Sequence, residues 1–490
     1  MEEPSTEKLD SLEGHAAVHA RADAVTTTFD AVVEKRIRRK LDYTILPVAI
    51  LMYLFAFIDR ANVGNAKILG MEEDLDLTGD RFNIGLTTFF TSYIFFEVPA
   101  NAACKKLGPK IWVPFLGTTF GLTTMLMSTM TNYKSFYAAR FMLGVFESGI
   151  MPSLVYLLSC FYRRHELVSR VGVYASFSSL SGAFGGLLAS GLFYVPQWGM
   201  IHTWRNIFFF EGLISTLIGI GSYFVIANHP SQAWFFTEEE KQVASYRMAQ
   251  ETRAQHTEGL SWRYFKRAIF NINVLLVCVA DACCLCVMNS MALFTPTILR
   301  SMGFSRIQSQ LMSVPPYAWA TLVCVSVTFL SDRTRTRGVW LLFAMPFTIV
   351  GFAIQLGVDG PTGLLYFSVF CCLTGAFTAA PMLIAWAVEN SSGYTTRAIV
   401  AGLTAGWANL GGLVATWTYM AEEAPRYTTG HAINCGAAVL CTIIVAITTV
   451  YLRWENKQRT KGKRDHRIQG ITMEEAADLG HKHPEYVFTP

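Results

Sequence analysis

Charge is scarce in this chain. Only 16% of its 490 residues are Asp, Glu, Lys or Arg, against about a quarter in an ordinary soluble protein. A soluble chain of this length would divide into several domains with charged surfaces, and there is not enough charge here to cover them. A phosphate-binding loop with Gly-Lys-Ser/Thr is missing, which excludes an ATP-driven pump. There is no nucleophile elbow and no metal-ligand pair, so an enzyme is not expected. No cleavable signal peptide is expected either: residues 1–34 are polar and acidic and lack an apolar core followed by small residues. The first apolar run then acts as an uncleaved anchor. Cysteine is present, with eleven residues. Most lie in or beside apolar runs, where Cys behaves as a small hydrophobe. The Cys283-Cys284-Leu285-Cys286 cluster lacks histidine partners and zinc-finger spacing, so no metal and no cofactor are expected.

Long apolar runs are what the chain has instead. Hydrophobic residues make up 52% of it and the mean hydropathy is +0.33. Runs of about 20 apolar residues, each long enough to cross ~30 Å of hydrocarbon, recur along the sequence. They predict spans near 41–64, 83–104, 111–130, 135–160, 171–195 and 204–227, and again near 270–298, 308–331, 338–357, 362–388, 397–420 and 432–453. The expected fold is an all-α membrane protein of twelve transmembrane helices in two six-helix bundles. Its expected divisions are an N-terminal tail (1–40), a first bundle (41–227), a central loop (228–268), a second bundle (269–455) and a C-terminal tail (456–490). The central loop carries Glu238-Glu239-Glu240-Lys241. It closes with Trp262-Arg263-Tyr264-Phe265-Lys266-Arg267, which reads as an amphipathic segment on the membrane surface.

Lys and Arg give the orientation. Lys35, Arg36, Arg38, Arg39 and Lys40 precede the first span. Lys105, Lys106 and Lys110 follow the second, Arg163, Arg164 and Arg170 the fourth, Arg333, Arg335 and Arg337 the eighth, and Arg453 and Lys457 the last. The opposite loops are poor in basic residues, and the first is acidic (Glu72, Glu73, Asp74, Asp76, Asp80). Both termini are expected in the cytoplasm, which requires an even number of spans. The halves also echo each other. Short basic turns containing glycine follow spans two and eight, and small residues four apart recur in span five (Gly182, Gly186, Ser190) and span eleven (Gly402, Gly406). Such spacing lets helix backbones approach closely, and the matched positions argue for two parallel repeats with substrate between them near the midplane.

An ionisable residue inside a span costs at least ~2.5–3.5 kcal/mol on insertion scales, which makes it a functional candidate. Arg140 and Glu147, seven residues apart in span four, share a helix face about 10 Å apart along the axis, with Gly144 between them. They offer a cation for an anionic substrate and a carboxylate able to hold a proton; the alternative is an ion pair that only locks packing. Asp59-Arg60 forms a second pair, and here the alternative is a pair at the membrane edge with Arg60 reaching to water. Glu211 and Asp281 are intramembrane acids without an obvious partner, more in keeping with structural networks than with coupling. Phe208, Phe209 and Phe210 read as lipid-facing.

Asp59-Arg60-Ala61-Asn62-Val63-Gly64-Asn65-Ala66, closing the first span, is similar to a signature of the anion:cation symporters, a family of the major facilitator superfamily. So are Phe96-Glu97-Val98-Pro99-Ala100-Asn101 and Arg140-Phe141-Met142-Leu143-Gly144-Val145-Phe146-Glu147-Ser148-Gly149. Phe294-Thr295-Pro296-Thr297-Ile298, Val314-Pro315-Pro316-Tyr317-Ala318, Pro425-Arg426-Tyr427 and Gly430-His431-Ala432-Ile433-Asn434 add to the likeness. The sequence most resembles the fungal allantoate permease branch, which includes carriers for nicotinate, pantothenate, allantoate and related carboxylates, over about residues 35–455. It departs after Trp386: the asparagine of a Trp-x-x-Asn pattern is displaced by one, to Asn390, and the basic pair is reduced.

The resemblance implies the major facilitator fold and proton-coupled symport. It makes Arg60 and Arg140 anion contacts, Asp59 and Glu147 proton sites, and Tyr93 and Asn409 substrate-facing. Glu97 caps its helix or joins a gate. Lys105, Lys106, Asp332 and Arg333 belong to a loop latch that also serves topology. The expected partners are a small organic anion, a proton and the lipid bilayer, without nucleic acid, and the expected protein is a monomer in the plasma membrane driven by the proton gradient. Two other readings use the same residue types: an exporter of a carboxylated metabolite, and a nutrient receptor that does not transport.

Overall fold

The computed structural model describes residues 31–255, 266, 268–392, 394–470 and 479–490. Twelve helical passages are present among them, in two sets of six. The first set comprises α1 (Ala31–Ala66), α2 (Arg81–Leu107), α3 (Pro109–Met127), α4 (Tyr133–Glu147) continued by α5 (Ile150–Ser159), α6 (Arg164–Leu192) and α7 (Trp204–Val225). A surface helix, α8 (Glu238–Gln255), follows. The second set comprises α9 (Ile272–Ser301), α10 (Val314–Thr334), α11 (Arg337–Gly357), α12 (Thr362–Glu389), α13 (Tyr394–Ala415) and α14 (Thr428–Thr460). Eight of the passages are long and apolar enough to cross a membrane by length and composition alone. Helices α2, α3, α6 and α13, of 19–29 residues, complete the twelve. The chain is thus an all-α, multi-pass integral membrane protein. Most of the Trp262–Arg267 segment lies outside the described residues.

Local chemistry explains several boundaries. Asn132 caps α4 by accepting from the Ser135 N–H, while the Ser135 hydroxyl accepts from the Asn132 N–H, satisfying two otherwise orphaned donors. Helix α1 runs past the expected end at 64. It continues as a π-helical turn, Lys67–Met71, that contains Gly70 at φ 111°, a conformation glycine adopts without a Cβ penalty. The polar Asp59-Arg60 and Asn62 therefore lie inside the helix rather than at its close. They read as a terminus because their partners come from other helices.

The two ends of the bundle differ in chemistry. At the basic end, Lys40 pairs with Glu240 of α8 at 2.6 Å, Arg247 of α8 with Glu166 of α6 at 2.7 Å, and Arg170 with Asp42 at 2.9 Å. Burial would raise the Glu240 carboxyl, but the Lys40 bond, the Thr237 N–H and the charge of Arg36 outweigh it and hold it below the usual range. These pairs fasten α8 under the first set. The expected latch is distributed differently. Asp332 joins Arg337 at 2.7 Å, and Arg337 also bonds Glu389 at 2.5 Å, whereas Lys105, Lys106 and Arg333 are exposed.

At the acidic end the two sets meet. The Asn83 amide donates to the Thr416 carbonyl at 2.7 Å, Thr87 and Thr416 share a hydrogen bond at 2.9 Å, and Arg306 pairs with Glu73 at 3.2 Å. Helix α6 lies against α10 through Gly182 on Tyr317, and against the short helix Arg306–Leu311 before it through Gly186 on the Gln310 carbonyl, whereas Gly402 and Gly406 of α13 face open space. The expectation of close packing holds for α6 and fails for α13. Between the two sets, the closest glycine-to-backbone approach puts Gly64 of α1 on the Leu293 carbonyl of α9, where an added Cβ would overlap it.

That approach yields a test. Overpacking costs roughly 1–3 kcal/mol, so Gly64→Val is expected to open the acidic end about 5- to 150-fold in population. The readout is maleimide labelling of a cysteine introduced at Thr416 in purified protein. Equal labelling with and without the valine would contradict this account of the contact.

Candidate functional site

Within the first set, long side chains of α1 and α4 reach each other and exchange charges, although α4 packs on α2 and α1 on α6 and α7. Arg60 donates from Nε to Glu147 Oε1 at 2.5 Å. Arg140 Nη1 lies 4.0 Å from Asp59 Oδ2. The pairing is crossed: each arginine faces the acid of the other helix, not the acid of its own motif. Arg140, Glu147 and Asp59 are each about 1% exposed, and Arg60 has 13% of its side chain exposed. The Phe89 ring of α2 lies 5.6 Å from the Arg60 guanidinium and 4.9 Å from that of Arg140. The rings of Phe57 and Tyr93 each lie 4.9 Å from Arg60. Desolvated cation–π contacts of this kind are worth about 2 kcal/mol or less each, so they supplement the ion pairs rather than replace them.

Gly144, expected to leave room between Arg140 and Glu147, leaves that room for a neighbouring helix. An added Cβ would overlap Ser92 and the Phe89 carbonyl of α2. Behind this layer the Asn62 amide donates to Glu211 of α7, and Asn65 donates to the Asn62 oxygen at 2.8 Å. Glu211 therefore has a partner, unlike the expectation. In the second set, Asp281 is fully buried and neither of its oxygens has a hydrogen-bond partner among the described residues. Phe208 is fully buried, which corrects its reading as lipid-facing; Phe209 and Phe210 are half-buried.

A small cavity, with room for about one water molecule, lies between the two sets. Phe57, Arg60, Ser178 and Ser181 line it from the first set, and Met288, Asn289, Tyr317 and Phe377 from the second. Of the four residues expected to contact substrate, Arg60 lines this cavity. Arg140 lies behind the Asp59 carboxylate, and Tyr93 lies beneath the Arg60 guanidinium. Asn409 donates to Glu97 Oε2 at 3.0 Å, a bridge between α2 and α13. Asn390, the displaced asparagine, serves the C-terminal segment: it donates to the Thr489 carbonyl at 3.0 Å and accepts from the Thr489 N–H at 2.8 Å.

Ser178, Ser181, Asn289 and Tyr317 were not picked out as site residues. Asn289 had a legible signal, as a lone amide in an apolar run. The tyrosine of α10 lay in the Val314-Pro315-Pro316-Tyr317-Ala318 motif without a role attached, and the serines of α6 had no signal, because inward and lipid-facing positions are distinguished only once the two sets are docked. Chemically, the cavity presents one guanidinium whose bond to Glu147 can be exchanged for a bond to an anion, with neutral donors on the opposite wall.

The pairing makes a stability prediction. Arg60→Met leaves Glu147 buried without its cation and is expected to destabilise the protein by about 3–5 kcal/mol. Adding Glu147→Leu should recover most of the loss. Thermal unfolding in detergent measures both variants. A double variant no more stable than the single one would show that the pair is not the source.

Comparison with known proteins bears on both fold and site. The Major Facilitator Superfamily profile matches residues 49–416. An uncharacterized transporter of Schizosaccharomyces pombe is 32% identical, over 86% of this chain and 84% of its own. The MFS-type transporter efuF of Hormonema carpetanum is 31% identical, over 91% and 89% respectively. The major facilitator-type transporter hxnP of Emericella nidulans is 28% identical, over 95% of each chain. Among solved structures, a D-xylose-proton symporter superposes with a TM-score of 0.65 at 12% identity, over 82% of this chain and 97% of its own. A bacterial homologue of the lysosomal transporter Spinster, inward-facing and occupied, gives 0.62 at 15% identity, over 84% and 96%.

Proposed function

This chain belongs to the major facilitator superfamily, and from that premise we propose that it is a secondary active transporter taking up a small organic anion together with a proton. The observation that carries the reading is the Arg60 guanidinium, which lines the inter-set cavity while bonded at 2.5 Å to the buried carboxylate of Glu147. Arg60 binds the substrate carboxylate, since guanidinium and carboxylate pair bidentately. An anion that takes Arg60 leaves Glu147 buried without a cation, an arrangement costly enough that the carboxylate takes up a proton instead. Asp59 and Arg140 are the second acid and cation of the same machinery. Asn289 and Tyr317 read the rest of the substrate from the other wall, and the rings of Phe57, Tyr317 and Phe377 suit a flat carboxylated ring such as nicotinate's once the small cavity widens to admit it.

The join at the acidic end corresponds to the inward-facing state of an alternating-access cycle. On the positive-inside rule the basic end, with both termini, is cytoplasmic, and the plasma membrane is the site of action. The protein works as a monomer, without a cofactor, on the proton gradient.

The test is uptake of labelled nicotinate, pantothenate and allantoate into yeast lacking its own carriers, at acidic and neutral external pH. Uptake of one of the three is expected to rise on acidification and to fall about 10- to 100-fold in Arg60→Ala, the loss of one charge-assisted hydrogen bond of about 1.5–3 kcal/mol. Uptake of a substrate that is indifferent to an imposed pH gradient, with sodium absent, would refute proton coupling.

A further inference from the structure

Around the α1–α4 pairs the buried charges of the first set do not balance. This interior holds three carboxyls, Asp59, Glu147 and Glu211, each at most 2% exposed, and two guanidiniums, Arg60 and Arg140; the other buried cations, Lys67 and Arg205, lie at the acidic end, beside Glu72 and on the Ser128 carbonyl. A buried carboxylate without a cation costs several kcal/mol, so a cluster in this composition is neutral only with one proton on one of the three acids. Glu147 has Arg60 at 2.5 Å and Asp59 has Arg140 at 4.0 Å. Glu211 has an amide: Asn62 donates to its Oε1, and Oε2 has no hydrogen-bond partner.

The surroundings of Glu211 supply no cation. Helix α1 presents Asn62 and, one turn before it on the same face, Asp59. Helix α3 packs its backbone at Gly121 and Met125 against Gly212 of α7 and carries the neutral Thr124. The nearest basic residue on α7 itself, Arg205, donates to the Ser128 carbonyl at 2.7 Å and lies six residues away, on another face of the helix. Neither Asp59 oxygen makes a close hydrogen bond among the described residues, although the Thr124 hydroxyl lies beside it, and Asp59 and Glu211 are near enough to interact electrostatically. A carboxylic acid at 211 then has the Asp59 carboxylate as an acceptor for its hydroxyl hydrogen.

We propose that Glu211 holds a resident proton in the substrate-free protein, shared with Asp59, and that this proton sets the interior of the first set to zero net charge. The consequence for coupling rests on the function proposed above. With Glu211 neutral, an entering monocarboxylate is the single uncompensated charge, and one proton taken up from solution by the released Glu147 balances it. The proton on Glu211 stays within the pair and is not carried.

The assignment can be tested without any substrate, so its failure is distinguishable from failure of the transport reading. Infrared difference spectra of purified protein report the carbonyl stretch of a protonated carboxyl. Against wild type, Glu211→Gln is expected to lose one such band; the contribution of Asp281 cancels in the difference. Asp59→Asn is expected to shift the same band, because the Glu211 hydroxyl loses its carboxylate acceptor. An acid kept neutral only by apolar surroundings would keep its band in place in Asp59→Asn. Glu211→Asp should displace the band instead of deleting it, and decides the assignment if the glutamine variant does not fold. An unchanged band in the position 211 variants, or a band at the wild-type frequency in Asp59→Asn, would overturn the proposal.

Discussion

The crossed pairing of α1 with α4 is the constraint on which the rest of the first set depends. In hydrocarbon a guanidinium or carboxylate has no water to fall back on, so Arg60, Glu147, Asp59 and Arg140 fix one another's depth and rotation. The consequences spread outward. Helix α1 cannot end at its polar stretch, because that stretch must sit mid-bundle to meet α4; it runs on through the π turn at Lys67–Met71 instead. Position 144 must be glycine-sized, because α2 has to come close enough to lay Phe89 against both guanidiniums. Crossing the pairs also separates two tasks that a simple Arg140–Glu147 bond would merge. Arg60 faces the cavity and can exchange partners, while Arg140 remains behind it with Asp59.

The two sets share a fold but not a charge distribution. Where the first set clusters Asp59, Arg60, Arg140, Glu147 and Glu211, the second carries its buried ionisable groups Arg337, His431 and Glu455 near the ends of α11 and α14 and Asp281 within α9, with Asn289, Ser290 and Thr404 in neutral hydrogen bonds. The cavity between them accordingly has one wall that can answer charge and one that can answer shape and hydrogen bonding. Since ionic strength and protonation act on the first wall and not the second, discrimination among anions of equal charge falls to the α9, α10 and α12 side chains.

Much of this architecture was legible in the sequence. Apolar runs mark all twelve passages, because the demand that a span be long and apolar is nearly independent of what it packs against. The importance of Asp59, Arg60, Arg140 and Glu147 was legible for the same energetic reason. Their partners were not. Helical periodicity places Arg140 and Glu147 on one face but is silent on the rotation of α1 relative to α4, and that rotation decides which acid meets which cation. Glu211 looked solitary because its partner, Asn62, is an amide 149 residues away. Gly402 and Gly406 looked like Gly182 and Gly186, yet one pair is packed and the other open. Small-residue spacing permits close approach without stating which end of the bundle is closed. Asn390 resembled a displaced site residue and turned out to hold a segment of backbone far along the chain.

That segment bears on how the second set moves. Residues 479–490 lie under its basic end, where Phe488 is buried and its carbonyl accepts from Asn456 of α14 at 2.8 Å. The Trp386 indole of α12 donates to the Thr489 carbonyl at 2.8 Å, and Tyr486 donates to the Glu389 carbonyl at 3.0 Å. The Gly338 N–H of α11 reaches the Pro490 carbonyl at 3.3 Å. One stretch of chain thus ties α11, α12 and α14 together through backbone groups, and backbone hydrogen bonds of buried residues are costly to leave unmade. Across from it, α8 ties α1 and α6 together through Lys40–Glu240 and Arg247–Glu166. Each brace spans helices of one set and leaves the seam between the sets free. Deformation within a set then costs several bonds at once, while rotation of one set against the other exchanges contacts of the seam, among them Gly64 on Leu293, Gly182 on Tyr317, Asn83 and Thr87 on Thr416, Arg306 on Glu73, and Asn409 on Glu97. The braces make each set stiff, and the seam is the part of the molecule where motion is least expensive.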